Sequence, residues 1–223
     1  MNSVFDELCD HTKSMVSKNQ GGKQLWIAVA GAPGSGKTTL CAHLADRLRT
    51  SGVQTAVVPM DGFHYYRHEL DQMPNANEAH AKRGAHWTFN AERLVSTLTA
   101  MRNSGSGIVP SFDHAMGDPV EDAIVVEPET SVVLVEGNYL LYDQRPWDGL
   151  KALFDETWFV SCEESRLRDR VIARNSAAWG WDRERTAARV DSNDMLNARL
   201  VAKTSSFADR VISSLEDSVI GMM

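Results

Sequence analysis

Leu25-Trp26-Ile27-Ala28-Val29-Ala30-Gly31-Ala32-Pro33-Gly34-Ser35-Gly36-Lys37-Thr38 decides the fold. Its first six residues are an unbroken apolar run, the pattern of a strand buried on both faces of a parallel sheet. From Thr38 the period changes. Leu40, Leu44 and Leu48 recur at i, i+4 and i+8 on one helical face, and Gly52 stands where a C-terminal cap belongs. Between strand and helix, Gly31 to Thr38 fits G-x-x-x-x-G-K-[ST], the Walker A pattern, in the setting that motif requires. With Gly near 7% of residues, an accidental match somewhere in such a chain has a probability on the order of 1 in 100.

The chemistry of a triphosphate explains each part of the loop. Glycines let backbone N–H groups turn toward phosphate oxygens, and the following helix N-terminus adds positive potential. Lys37 reaches the β and γ phosphates and Thr38 offers a hydroxyl to Mg²⁺. Gly31, Ala32, Pro33, Gly34, Ser35, Gly36, Lys37, Thr38 and the adjoining Thr39 are therefore expected to bind a nucleoside triphosphate together with Mg²⁺. The loop fixes nucleotide binding and leaves open what happens to the γ-phosphate.

The chain has 223 residues, one and a half times the ~150-residue length of a typical domain. No repeat or linker divides it, so one domain over 1–223 is expected, with its core from about residue 23. Hydrophobic residues at 43% and charged residues at 24% exclude disordered and low-complexity classes. A net charge of −7 disfavours a general nucleic-acid binder. Residues 166–199 nevertheless hold eight Arg and five acids, +3 locally, where an anionic ligand could be met. Cys9, Cys41 and Cys162 are too far apart for a disulfide framework or a metal knuckle. Their spacing favours a reducing compartment. No secretory h-region and no ~18-residue apolar span is present, so the expectation is a cytoplasmic protein without membrane contact.

Outward from the loop, Val4, Phe5, Leu8 and Val16 suggest a leading helix before Gly21-Gly22. Thr55 to Met60 reads as a second strand, and Asn90 caps a helix whose apolar face is Leu94, Val95, Leu98 and Met101. Ile108 to Phe112 and Ala123 to Val126 are extended, and Ser131 to Val135 is a second strand buried on both faces. Thr157 to Val160 and Ala208 to Ser213 are further short strands. Helices are expected from Glu163 to about Asn175 and from Asp182 to about Lys203. This alternation predicts an α/β fold with a central, mostly parallel sheet flanked by helices.

In such a sheet the ligand lies beyond the carboxyl ends of the strands. Asp61 and Glu136 occupy those places after the second strand and the Ser131 strand. Glu136 would hold Mg²⁺ directly or through water. Asp61 would accept the proton of an attacking hydroxyl, or else serve as an outer Mg²⁺ ligand or turn residue beside Gly62.

Four segments carry a family likeness: Pro59-Met60-Asp61-Gly62-Phe63-His64, Arg83-Gly84-Ala85-His86-Trp87-Thr88-Phe89, Pro110-Ser111-Phe112-Asp113-His114 and Glu136-Gly137-Asn138-Tyr139-Leu140-Leu141. With the phosphate loop, they resemble the P-loop kinases grouped as uridine kinase, phosphoribulokinase and type I pantothenate kinase. They are similar to the branch labelled fructose-transport-system kinase-like or nucleoside kinase-like. The likeness runs from Leu25 to about Lys203. It implies that Asp61 matches the family's catalytic Asp, Glu136 its strand-end acid, and Arg170 or Arg174 the arginines of a mobile helical lid spanning about 165–185. Gly62-Phe63-His64 and Arg83-Gly84-Ala85-His86-Trp87 depart from uridine kinases, so uridine does not carry over as the acceptor.

The long section from Gly62 to Phe89 is too rich in His, Tyr, Arg and Trp for an ordinary connector and is assigned to acceptor binding. Asp61, His64, Arg83, Trp87, Asp113, His114, Asn138 and Tyr139 form the expected acceptor set, although Trp87 and Phe89 are individually better core anchors than stacking platforms. His64 and His68, four apart, could share a helix face as zinc ligands do, but lack a third ligand nearby. Arg166, Arg168, Arg170 and Arg174 could in part be a solvated face, and Arg185, Arg189, Asn193 and Asn197 could in part meet nucleotide. The reading is a kinase, monomeric or homodimeric, moving the γ-phosphate of Mg-ATP to a hydroxyl of a nucleoside, sugar or pantothenate-like metabolite, with Lys37, Asp61, Arg170 and Arg174 as catalytic residues. Its rival is a P-loop NTPase or nucleotide-dependent switch with no small-molecule acceptor.

Overall fold

The two continuous apolar runs lie side by side at the centre of a parallel sheet. In the computed structural model, which describes residues 3–19, 23–113 and 116–214, the sheet holds β1 (Leu25–Gly31), β2 (Thr55–Pro59), β5 (Val132–Gly137), β6 (Glu156–Ser161) and β7 (Arg210–Ser213). Their order is β2-β5-β1-β6-β7 and every pair is parallel. Every residue of β1 and β5 is buried, because helices cover both faces. The register sets Glu136 of β5 beside Val29 of β1 and Pro59 of β2, so three strands deliver their carboxyl ends to one place.

One face is covered by α1 (Ser3–Lys18) and α2 (Lys37–Thr50), whose Phe5, Leu8, Leu40, Leu44 and Leu48 pack on Ile27, Val29 and Trp158. The leading helix is therefore part of the core. On the other face, α5 (Ala91–Ser104), α6 (Glu164–Trp179) and α8 (Met195–Ala202) bury Leu94, Leu98, Leu167, Val171 and Val201 against Ala28, Val58, Val133 and Val135. Asn90 caps α5 by accepting from the Arg93 N–H, and Gly105 closes it at φ 78°. No helix among the described residues is long and apolar enough to cross a membrane.

Three local features go beyond the sequence reading or correct it. First, the two stretches expected to be extended after Gly105 are strands, β3 (Gly107–Asp113) and β4 (Asp118–Val126), and they pair with each other as an antiparallel hairpin separate from the main sheet. Pro110 has no N–H for a ladder, and the register shifts between Val109 and Ser111. Secondly, α6 does not stop at Asn175 but runs to Trp179, ending at Gly180 with φ 65°. Thirdly, the stretch after Asp182 is broken into α7 (Arg183–Arg189), a π turn over Val190–Asp194, and α8. The section from Gly62 to Phe89 contains α3 (Arg67–Asp71) and α4 (Ala76–Ala81).

Asp61 is carried by a single 3₁₀ turn, Met60–Phe63, that follows β2. Gly62 lets this turn touch the hairpin: a Cβ there would stand 2.7 Å from the Pro110 carbonyl carbon and nearer still to its oxygen. Both obstacles are backbone, so Gly62→Ala is expected to cost about 3 kcal/mol by overpacking. At roughly 2–4 °C per kcal/mol for a chain of this size, thermal unfolding should move down by about 6–12 °C. An unchanged melting temperature would contradict this tight approach.

Candidate active site

The phosphate loop is built on two left-handed glycines, Gly34 at φ 79° and Gly36 at φ 91°. A Cβ on Gly34 would lie 2.9 Å from Val171 Cγ2 and 3.1 Å from the Leu167 carbonyl, so the loop rests against α6. Arg170 of that helix donates from Nη1 to the Gly34 carbonyl at 3.2 Å and to Ser214 Oγ at 2.8 Å. Ser214 in turn donates to the Ser35 carbonyl at 2.7 Å. The residue after β7 thus braces the loop, a role with no local signature in the sequence.

Beside the loop, the Thr38 hydroxyl donates to Glu136 Oε1 at 3.0 Å. Glu136 is buried. Burial pushes its carboxyl above the ordinary range and the Asp61 carboxylate adds to this, while Lys37 and the Thr38 hydrogen bond pull it down. One hydroxyl and two mutually repelling carboxylates form a hard oxygen set that suits Mg²⁺.

A cleft of about 510 Å³ opens in front of this group. Pro33, Lys37, Thr38, Asp61, His64, Arg83, Asn138 and Arg174 all line it, bringing together eight of the residues expected from sequence. The His64 ring packs at a tilt against Phe89, with centroids 3.8 Å apart, and against Phe112 at 4.6 Å, while its Nδ1 lies 2.8 Å from the Asp61 carbonyl oxygen. His68 lies on α3, so the two histidines do not share a helix. Arg83 Nη2 donates to the Tyr65 carbonyl at 2.8 Å and to Asp118 Oδ1 at 3.0 Å.

Other expected residues stand elsewhere. Tyr139 is 1% exposed and donates its hydroxyl to the Gly84 carbonyl at 2.8 Å, shaping the floor from behind. Trp87 and Asp113 do not line the cleft; Asp113 Oδ1 accepts the Met116 N–H at 3.0 Å. Phe89 is core-buried and also lines the cleft. Arg170 braces the loop from below, and His114 lies outside the described residues. Arg168 faces outward in a two-bond pair with Asp191 at 2.7 and 2.9 Å.

The π turn adds a group that sequence reading passed over. Asp194 lines the cleft and faces Arg189 across 3.5 Å. Burial pushes Asp194 up, against the pull of Arg189 and Arg174, and burial likewise lowers Arg189. Asn197 lines the same wall, as do Trp179 and Trp181, whose ring centroids are 5.0 Å apart. Arg185 lies 3.8 Å above the Trp181 ring. An aromatic pair flanking Gly180 was the available signal for these two rings.

The geometry has counterparts among known proteins. The model of the phosphoribulokinase/uridine kinase family matches residues 26–220. A Schizosaccharomyces pombe protein provisionally named a uridine kinase is 39% identical over 218 residues, spanning 96% of this chain and 92% of the relative. The crystal structure of a Silicibacter protein provisionally named a fructose transport system kinase superposes with a TM-score of 0.84 at 32% identity, covering 94% of this chain and 98% of that one. Saccharomyces cerevisiae YFH7, described as a P-loop kinase with a circular permutation, gives a TM-score of 0.80 over 96% and 99% of the two chains. Its 18% identity makes that a likeness of fold.

Proposed function

The chain belongs to the phosphoribulokinase/uridine kinase family, and from that premise we propose that it transfers the γ-phosphate of ATP to a hydroxyl of a small metabolite such as a nucleoside, sugar or pantothenate-like alcohol. It is a P-loop kinase; the nature of the acceptor is the added claim. The observation that carries it is Asp61, which lines the same cleft as Lys37 and Thr38 at the carboxyl end of the sheet. A carboxylate there can take the proton of a bound alcohol as its oxygen attacks phosphorus.

Lys37 would sit against the β and γ phosphates and stabilise the charge of the transferring group. Arg174, exposed at the cleft, would approach that group as the stretch 165–185 closes as a lid, while Arg170 keeps the loop in shape. The chain would act as one kinase domain. Thr38 and Glu136 would hold Mg²⁺, which when bound neutralises charge on the β and γ phosphates. Glu136→Gln is therefore expected to raise the Mg²⁺ concentration for half-maximal activity by about 10–100-fold. A variant with unaltered Mg²⁺ dependence would remove Glu136 from the metal site.

ADP release measured across nucleosides, free sugars, pantothenate and other small alcohols tests the acceptor claim. Strong stimulation by one of them is the expected result. Slow release that no alcohol accelerates would contradict it.

A further inference from the structure

Among the described residues, five of the buried side-chain polar atoms without a hydrogen-bond partner belong to four residues of this one cleft, and two of them, Arg189 Nη1 and Asp194 Oδ2, meet only as an ion pair at 3.5 Å. Three are donors: Arg83 Nε, Arg83 Nη1 and Arg189 Nη1. Two are acceptors: Asn138 Oδ1 and Asp194 Oδ2. Stranding a buried polar atom costs more than one hydrogen bond contributes, so folded proteins keep few such groups and a concentration of them in a cavity asks for a ligand.

The donors are held in place by their other contacts. Arg83 is fixed through Nη2 by Asp118 and the Tyr65 carbonyl, and its guanidinium lies 5.7 Å from the centroid of Phe112. Arg189 is aligned by Asp194, and Asn193 of the π turn donates to the Arg83 carbonyl at 2.9 Å. That bond ties together the two segments that carry the arginines. Charge agrees with the donor count. Lys37, Arg67, Arg83, Arg174 and Arg189 line the cleft against Asp61 and Asp194, in a chain whose net charge is −7. Lys37 and Arg174 are assigned to the nucleotide in the reading above, which leaves Arg67, Arg83 and Arg189 at the acceptor end, where Asp118 holds Arg83 through Nη2 alone and Asp194 meets Arg189 at 3.5 Å.

We propose that the acceptor is a hydroxylated oxyanion, with a carboxylate or phosphate ester against Arg83 and Arg189 and hydroxyls donating to Asn138 Oδ1 and Asp194 Oδ2. Guanidinium groups suit either anion, and acceptor atoms left without a hydrogen bond select hydroxyl donors. Contacts run in a row from the Asp61 backbone carbonyl to the His64 ring, from His64 to Phe112 and from Phe112 to Arg83. These rings keep the substrate's anion apart from the carboxylate that must receive a proton, whereas an anion beside Asp61 would be repelled.

The assignment rests on the kinase reading, so its test compares acceptors in matched pairs: glycerol with glycerate, pantetheine with pantothenate, and fructose with its phosphate esters. The anionic member of at least one pair should be phosphorylated with a kcat/KM about 10²-fold above its neutral partner. The carboxylate and phosphate pairs then say which anion is used. Arg189→Met and Arg83→Met should each raise KM for that acceptor about 10–100-fold with kcat within a few-fold, narrowing the preference. Arg83→Lys should recover part of the loss, and melting curves with ATP check that each variant is folded. Neutral members used as well as or better than anionic ones would overturn the assignment while leaving a kinase. Folded variants that lose both members of a pair alike would also overturn it. No turnover of any member would contradict the kinase reading, and this assignment would fall with it.

Discussion

Asp61→Asn is expected to lower kcat for phosphoryl transfer by about 10²–10⁴-fold, the range that a positioned general base contributes. The affinity for ATP should stay close to that of the parent. The amide keeps the shape of the side chain but cannot take a proton, and Asp61 stands on a turn after β2 rather than in the phosphate loop. Its loss should therefore appear in the chemical step and leave the nucleotide in place. Removing one of two repelling carboxylates also relieves Glu136, whose carboxyl the Asp61 charge helps push up. Metal binding is thus not expected to collapse. Steady-state rates with saturating acceptor, together with nucleotide titration of the same protein, separate the two effects. Full turnover in the Asn variant would take Asp61 out of the mechanism.

Lys37→Met should fail differently. Lys37 opens α2 directly after the left-handed Gly36, lines the cleft and is the cation that most directly offsets the Glu136 carboxylate. Without it, charge on the transferring phosphoryl group loses its nearest protein cation, and kcat/KM for ATP should fall by at least about 10²–10³-fold, the loss measured when one preorganised donor is removed. Because Lys37 meets the phosphates in the ground state as well, nucleotide affinity should weaken too. Loss of turnover with undiminished affinity would mean that Lys37 acts only in the transition state.

The parts of this site that were legible in the sequence are those encoded locally. The apolar runs of β1 and β5 announce themselves because both faces are covered, and the glycines and Lys37 of the loop follow at fixed spacing. Asp61 and Glu136 followed from one topological rule, that the crevice lies at the strand ends. What escaped was set by tertiary packing. β4 is largely exposed along its length and lacks a clean alternation, so nothing in it says that it leaves the main sheet for a hairpin. Asp194 lies five residues after Arg189, a spacing that an α-helix turns to different sides and that a π turn brings onto the same wall. Ser214 reaches the phosphate loop only because β7 adds to the edge of the sheet beside β6. Trp87 shows the opposite error, an aromatic residue within an acceptor-rich segment that does not line the cleft.

The central claim is that the γ-phosphate goes to an alcohol. ATP carrying heavy oxygen isotopes on its γ-phosphate, incubated with the protein, Mg²⁺ and the acceptor panel, follows that group directly by product mass. The account predicts a phosphate ester of one acceptor carrying the labelled oxygens, formed faster than labelled inorganic phosphate. Label found only in inorganic phosphate, whatever acceptor is present, would contradict it.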